Sequence, residues 1–277
     1  MSSPAETRLR DTVAAELAHL TAPGGLLAPD SPRATYKVFE DDPRRAQVRK
    51  RIVTEYLDAG MPVQGSNMAV LTAGPPGAGK STALNTVLGA RTADYRRLDA
   101  DLAKDYLLTD ALDKGLFDDL LAQTLADGRS IAPRELAALV HHESTQIWDT
   151  LRRHCIDRGE PIIIEGTLTW PPLGAKLLAE LRMGGYTAVR VIAVDVPERI
   201  AQQRAIDRWW RVRHADSDTL GGRFTPPDAI SSAYRPDGSS ICTANAASLI
   251  DVGSGVTEGL AVTLDVVDEA GTVTRWA

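Results

Sequence analysis

The chain has 277 residues, 43% hydrophobic and 25% charged, a composition that suits a globular protein with one α/β core and terminal additions. Its formal charge of -6 argues against a generally basic, nucleic-acid-binding surface, and its two cysteines, Cys155 and Cys242, are too few and too far apart for a disulfide framework or a paired zinc site. The start, MSSPAETRLRDT, has no apolar run of the signal-peptide kind and no later run is long enough to span a bilayer, so a cytoplasmic protein with no membrane and no nucleic-acid partner is expected.

From Thr7 to Leu20 the spacing of Leu9, Val13, Leu17 and Leu20 predicts an amphipathic helix, which Thr21-Ala22-Pro23-Gly24-Gly25 ends. A second helix is expected with Asp42 as N-cap, Pro43 at its first position and Gly60 as its stop. Its basic run, Arg44-Arg45 and Arg49-Lys50-Arg51, is diluted by Glu40, Asp41, Asp42 and Glu55 and reads as a solvated face. From Met68 onward short apolar strands alternate with helices, the signature of a parallel sheet with crossover helices. Strands are predicted at 68–73, 95–99, 161–165 and 188–196. Helices are predicted at Ser81–Leu88, from about Asp101, within 115–128, from Pro133 to about Asp157, and after Pro197. The tail from Ala261 turns at Glu269-Ala270-Gly271 and returns to Trp276, a β-hairpin. These elements suggest a helical extension over 1–66 and an α/β domain over 67–277.

The strand at 68–73 runs into Gly74-Pro75-Pro76-Gly77-Ala78-Gly79-Lys80-Ser81, which opens a helix; this is the pattern and the context of a P-loop. Its small residues let backbone N–H groups curl around a β-phosphate, with a helix N-terminus, Ser81 and Thr82, behind them. Lys80 would bridge the β- and γ-phosphates and the Ser81 hydroxyl would ligate Mg²⁺, so ATP and Mg²⁺ are the expected cofactors and the fold class is an α/β P-loop kinase fold.

The second strand ends in Leu98-Asp99-Ala100-Asp101, which places two acids where parallel strands deliver residues to a binding crevice. Asp101 is the candidate base for an acceptor hydroxyl and Asp99 a candidate substrate contact, while either acid could instead cap the following helix. The third strand delivers Glu165, a carboxylate that needs a cation or donors to meet it. His141, His142, Glu143 and Ser144 read as helix surface, because adjacent histidines point in different directions. After Pro197 the helix carries Arg204, Arg208 and Arg211 at i, i+4 and i+7, and Arg223 follows Gly221-Gly222 in a loop that those glycines would let move. Arginines arriving from such a lid would stabilise charge on a transferring phosphoryl group; Arg208 and Arg223 are the preferred pair, and helix-surface ion pairs are the alternative.

The combination of AGPPGAGKS at 73–81, RLDAD at 97–101, HHES at 141–144, IIIEGT at 162–167, RFTP at 223–226 and the closing LDVVDEAGTVTRW resembles the zeta-toxin family of P-loop kinases over roughly residues 67 to 277. That resemblance implies an ATP- and Mg²⁺-dependent kinase for the 3′-hydroxyl of UDP-N-acetylglucosamine, and an antitoxin as partner. It puts Asp101 at the catalytic base, Lys80 at the P-loop lysine, and Glu165, Thr167 and Asp149 at substrate contacts. Arg208 and Arg223 take the place of the paired phosphate arginines, with Arg211 as rival to Arg208. Thr169 departs from the arginine that follows Glu-Gly-Thr in an archetypal member, and the segment between Asp101 and Glu165 is longer, with an extra helix expected near 116–126. Two further readings remain at this stage: a kinase for another small-molecule or polynucleotide hydroxyl, and a non-catalytic ATP-binding regulatory module. The N-terminal helices either cover the nucleotide site in cis, as an antitoxin helix does in archetypal systems, or simply pack against the domain.

Overall fold

The computed structural model describes residues 3–59, 67–215, 218–251 and 259–276, so the expected stop at Gly60 lies outside the described residues. In chain order the elements are α1 (Pro4–Thr21), α2 (Thr35–Val38), α3 (Arg44–Asp58), β1 (Met68–Ala73), α4 (Lys80–Leu88), β2 (Arg96–Leu98), α5 (Ala100–Asp113), α6 (Asp118–Leu121), α7 (His141–Asp157), β3 (Ile162–Ile164), α8 (Pro171–Met183), β4 (Ala188–Val194), α9 (Glu198–Ala215), α10 (Pro227–Ser231), α11 (Ile241–Asp251), β5 (Ala261–Val267) and β6 (Val273–Trp276). They pack as two compact units, one formed by Met1–Thr54, Ala100–Ile147 and Ala205–Pro227, the other by Glu55–Asp99, Trp148–Arg204 and Asp228–Ala277. Among the described residues no helix is long and apolar enough to cross a membrane.

The second unit holds the sheet, in the order β2-β3-β1-β4-β5-β6. Strands β2 to β5 run parallel to their neighbours, and β6 returns antiparallel to β5 as the closing hairpin. Near-continuous apolar strands are what a parallel sheet covered on its faces requires. Ile162, Ile163 and Ile164 are at most 2% exposed, as are Ala69, Val70 and Leu71, and each such large aliphatic side chain contributes about 1.5–3 kcal/mol on burial. Helix α11 packs on β1, β4 and β5 and against α8, while α4 packs on β1 and β4. At the hairpin, Gly271 takes φ +85°, and the Asp268 carboxylate accepts from the N–H groups of Ala270 (2.9 Å) and Thr272 (2.8 Å). The register that follows sets Arg275 opposite Asp265, and the fully buried Asp265 carboxylate is ion-paired by Arg275 and Arg190. Because β1 to β5 are parallel, their carboxyl ends share one edge of the sheet, and the segments that follow them emerge there.

The first unit is helical. Ser3 caps α1 by accepting from the Glu6 N–H (3.2 Å), and Val13, Ala14 and Leu17 of that helix are buried. The structure corrects the solvated reading of the basic run: Arg44 is solvated, but Arg45 is only 2% exposed. Arg45 donates to both Glu143 oxygens (2.8 and 2.7 Å) and to Asp110 (2.6 Å), tying α3 to α5 and α7. Glu143 and Ser144 are accordingly interior residues, and only His141 and His142 of that tetrad are exposed. Burial raises the Glu143 carboxyl, but the Arg45 fork outweighs it and holds the acid below its ordinary value. Breaking a buried pair strands the surviving charges, so Arg45→Ala should lower unfolding free energy by about 3–5 kcal/mol, read by urea denaturation.

Two helical expectations change. Between Gly115 and Gly128, both at positive φ, only α6 forms; its chain then turns into a bridge between Thr124 and Ser130. The helix expected from Pro133 is instead a 3₁₀ helix, Pro133–Val140, followed by α7. Glu135 accepts from the Ala132 N–H at the start of that turn (2.8 Å) and is buried, and its side chain is claimed by Trp209 and Arg213.

Candidate active site

In the sheet unit, β1 leads into the glycine loop and α4 begins at Lys80. Gly74 and Gly79 adopt φ +150° and +100°, which disfavour side chains, and a Cβ on Gly74 would lie 3.2 Å from the Val194 carbonyl. Gly77, at φ +81°, completes the curl, and the Ala78 N–H closes it on the Pro75 carbonyl (3.2 Å). Pro76 is half-buried at its tip, and Ser81 and Thr82 are exposed on the first turn of α4. Lys80 Nζ donates to the carbonyls of Gly74 (2.9 Å) and Pro75 (3.1 Å), folding the lysine over its own loop.

The segment after β3 is held beside this loop. The Gly74 N–H donates to the Thr167 carbonyl (3.1 Å), and Thr72 exchanges hydrogen bonds with Gly166 through its hydroxyl (3.0 and 3.2 Å). Leu168 takes φ +56°, a left-handed conformation that a leucine holds only under constraint; Asn245 supplies it by donating to the carbonyls of Leu168 (2.7 Å) and Thr169 (3.2 Å). Thr167 and Thr169 share a hydroxyl–hydroxyl bond of 3.0 Å. Arg97 grips one oxygen, Oε1, of the largely buried Glu165, which answers the need for a cation at that strand end. Asp149 pairs with Arg152 (2.8 Å), which also reaches Glu180 (2.9 Å). Tyr56 donates to the Arg97 carbonyl (2.6 Å) and accepts from the Asp99 N–H (3.1 Å), which fixes Asp99 just after β2.

In the helical unit, Asp101 is the second residue of α5, while Asp99 is the last residue of its stretch of the sheet unit. The Asp101 carboxylate accepts from Lys104 (2.9 Å) and lies 3.4 Å from Arg223 Nε. Arg223 Nη2 also donates to the Asp101 carbonyl (3.1 Å) and to Asp105 (2.7 Å), and Arg134 joins the same cluster through Asp105 (3.0 Å) and Asp218. Arg223 Nη1 is buried with no partner among the described residues. Burial raises the Asp101 carboxyl, yet Lys104, Arg223 and Arg208 together overcome it and hold the group below its ordinary 3.8. Asp101 is therefore ionised at neutral pH. If it serves as base, kcat/KM should show no acid limb from Asp101 between pH 5 and 8, with loss only below 3.8, as a pH–rate profile would read.

Helix α9 is pinned in this unit by Arg213, which forks onto Asp127 (2.7 and 2.8 Å) and Glu135 (2.8 Å) in the interior. That anchorage fixes the exposed Arg208, whose charge acts on Asp101; Arg211 is exposed and makes no described hydrogen bond or ion pair. Gly221 and Gly222 serve close packing: a Cβ on Gly222 would lie 2.5 Å from the Trp209 carbonyl, and one on Gly221 2.6 Å from Ala132 Cβ. The loop is also bonded through Arg134, whose N–H donates to Leu220 (2.8 Å) and whose guanidinium donates to Gly221 (3.0 Å), so the expectation of a glycine-loosened lid is corrected.

Sequence reading missed the supports Tyr56, Thr72, Arg97 and Asn245. Only Thr72, a lone polar side chain at the end of an apolar strand, carried a signal. Among the described residues no three His, Cys, Asp or Glu side chains group as a metal site.

No curated protein sequence matches the chain. Among solved structures, a chain of the PezAT chromosomal toxin–antitoxin system of Streptococcus pneumoniae superposes with a TM-score of 0.58 at 13% identity, over 83% of this chain and 80% of that one. A chain of the AvrRxo1-ORF1:AvrRxo1-ORF2 complex with sulphate ions gives 0.54 at 14% identity, over 84% and 66%. One from the same pair with ATP gives 0.53 at 14%, again over 84% and 66%. At these identities the likeness concerns the fold. The family model for zeta toxins, whose members are kinase-type phosphotransferases, matches residues 53–258. With the P-loop, the strand-end acids after β2 and β3, and well over half of the 277 residues inside that match, the chain belongs to the zeta-toxin family.

Proposed function

We propose that the chain transfers the γ-phosphoryl group of ATP to a hydroxyl of a nucleotide sugar, UDP-N-acetylglucosamine by family resemblance. The observation that carries this reading is the glycine loop, with three positive-φ glycines and Lys80 poised on its carbonyls at the head of α4. Its concave N–H groups and helix N-terminus fit a polyphosphate. The loop residues Gly74 to Thr82 hold the β- and γ-phosphates, and Lys80 exchanges its two carbonyl contacts for phosphate oxygens. The Ser81 hydroxyl, exposed on that first turn, would be a ligand of Mg²⁺, which when bound would supply charge neutralisation for the phosphates of ATP.

Asp101 accepts the acceptor hydroxyl's proton as that oxygen bonds to phosphorus and the bond to the departing ADP breaks. Arg223, with one nitrogen already in want of a partner, and Arg208 offset charge on the phosphoryl oxygens, with Arg211 as the alternative to Arg208. Asp99, Asp149, Glu165 and Thr167 position the acceptor; Glu165 keeps one oxygen, Oε2, outside its Arg97 clamp. Residues 67–277 form the functional kinase part and 1–66 its helical extension. A cytoplasmic setting supplies the ATP, and an antitoxin is the expected protein partner, in line with the toxin–antitoxin origin of a structural neighbour.

The test is incubation with Mg²⁺-ATP and candidate acceptors followed by mass measurement. A gain of one phosphate on UDP-N-acetylglucosamine is expected. Phosphate appearing only on another acceptor would overturn the substrate, and no transfer to any hydroxyl would overturn the kinase reading.

A further inference from the structure

The parallel strands sort the edge of the sheet by chemistry. The segments after β2 and β3 carry Asp99 and Glu165, and β1 between β3 and β4 carries the phosphate loop. On the other side Asp195 follows β4 and Asp268 follows β5, but both acids are met locally, Asp195 by the Thr243 hydroxyl and Asp268 by the N–H groups of its own turn, and Arg204 of α9 reaches back to the loop. Its Nη1 donates to the Ala78 carbonyl (2.9 Å) and its Nη2 to the Glu269 carbonyl in the β5–β6 turn (3.3 Å). A Cβ placed on Gly79 would stand 3.5 Å from that same Nη1.

Two features decide what this arginine does. In a phosphate-cradling loop the N–H groups point inward and the carbonyls outward, so a guanidinium docked on Ala78 O sits on the outer wall of the cradle, where it is not a phosphate ligand. Its in-plane hydrogen bonds to two carbonyls fix the plane of the group, while the side chain remains exposed, which leaves a flat cationic face open to solvent. Such a face stacks on a heteroaromatic ring. The phosphates being held after β1 and the acceptor acids lying after β2 and β3, the nucleoside end of the donor has the β4–β5 side of the edge left to it.

We propose that Arg204, held flat between the P-loop and the β5–β6 turn, is the stacking platform for the nucleobase of the donor nucleotide. The proposal rests on the P-loop reading, and its test separates the two. Calorimetric titration of the full chain with Mg²⁺-ATP and with Mg²⁺-tripolyphosphate compares a ligand that has a base with one that has only the phosphates. Arg204→Leu should weaken ATP by about tenfold and leave tripolyphosphate within about twofold of wild type. Equal losses for both ligands would make Arg204 a scaffold of the loop, and no loss for either would remove it from binding; each result overturns the platform. Failure of wild type to bind either ligand would instead overturn the P-loop reading. Arg204→Lys covers the case in which the leucine variant does not fold. It keeps the charge and loses the planar face, so it too should lose ATP selectively, and retained wild-type ATP affinity there would overturn the proposal.

Discussion

Lys80→Ala should cut kcat/KM for phosphoryl transfer by about 10²- to 10³-fold, the loss that follows removal of one preorganised donor to developing charge. The lysine's ammonium rests on the carbonyls of Gly74 and Pro75, so its removal takes a donor from both, leaving Pro75 with the Ala78 N–H, and relaxes the curl that Gly74 and Gly79 impose. Both effects act on the donor phosphates, so tripolyphosphate affinity should fall with the rate. Steady-state kinetics paired with tripolyphosphate titration checks this. An unchanged rate would move the chemistry away from the glycine loop altogether.

Asp101→Asn should behave differently. The amide keeps the shape and a hydrogen-bond acceptor but takes no proton, so transfer should fall by about 10²- to 10⁴-fold while ATP affinity stays within a few-fold of wild type. Loss of the carboxylate also takes an anion from Lys104 and from the Nε of Arg223, which keeps its ion pair with Asp105 and its bond to the backbone carbonyl at position 101. Single-turnover transfer and ATP titration separate the two parameters. Retained transfer would assign the proton to another acid, with Asp99 the first to try.

What the sequence disclosed was local. The glycine loop, the strand-end acids and the closing hairpin are each written in a run of ten or so residues, where spacing and backbone freedom carry the meaning. Strands β1 to β4 fell within two residues of their expected bounds; for β1, β3 and β4 this is because near-continuous apolar runs between turn residues have few other uses. Arg45 was opaque for the opposite reason: its partners, Asp110 and Glu143, lie 65 and 98 residues away, and a charged residue on an amphipathic helix gives no sign that it is the buried exception. The segment from Gly115 to Gly128 misled because its composition is helical while two positive-φ glycines and the Thr124–Ser130 bridge close it into a turn. Gly221 and Gly222 misled by their ordinary association with motion; what calls for them is the nearness of Ala132 and Trp209. Arg204 was visible as one of a stripe, but its two carbonyl acceptors come from residues 78 and 269, which no helical periodicity can reveal.

Each compact unit is assembled from three separate stretches of chain, and this bears on how the protein is made. The ion pair between Arg10 and Asp207 spans 197 residues. At a synthesis rate of about 5–20 residues per second, the aspartate emerges roughly ten to forty seconds after the arginine. During that interval Val13 and Leu17 have left the ribosome, while the last stretch of their unit, Ala205–Pro227, is still to be made. The sheet waits longer still, because β5 enters it only beyond residue 260. A nascent chain is thus apolar-faced and incomplete for most of its synthesis, and neither unit can close before translation is nearly finished.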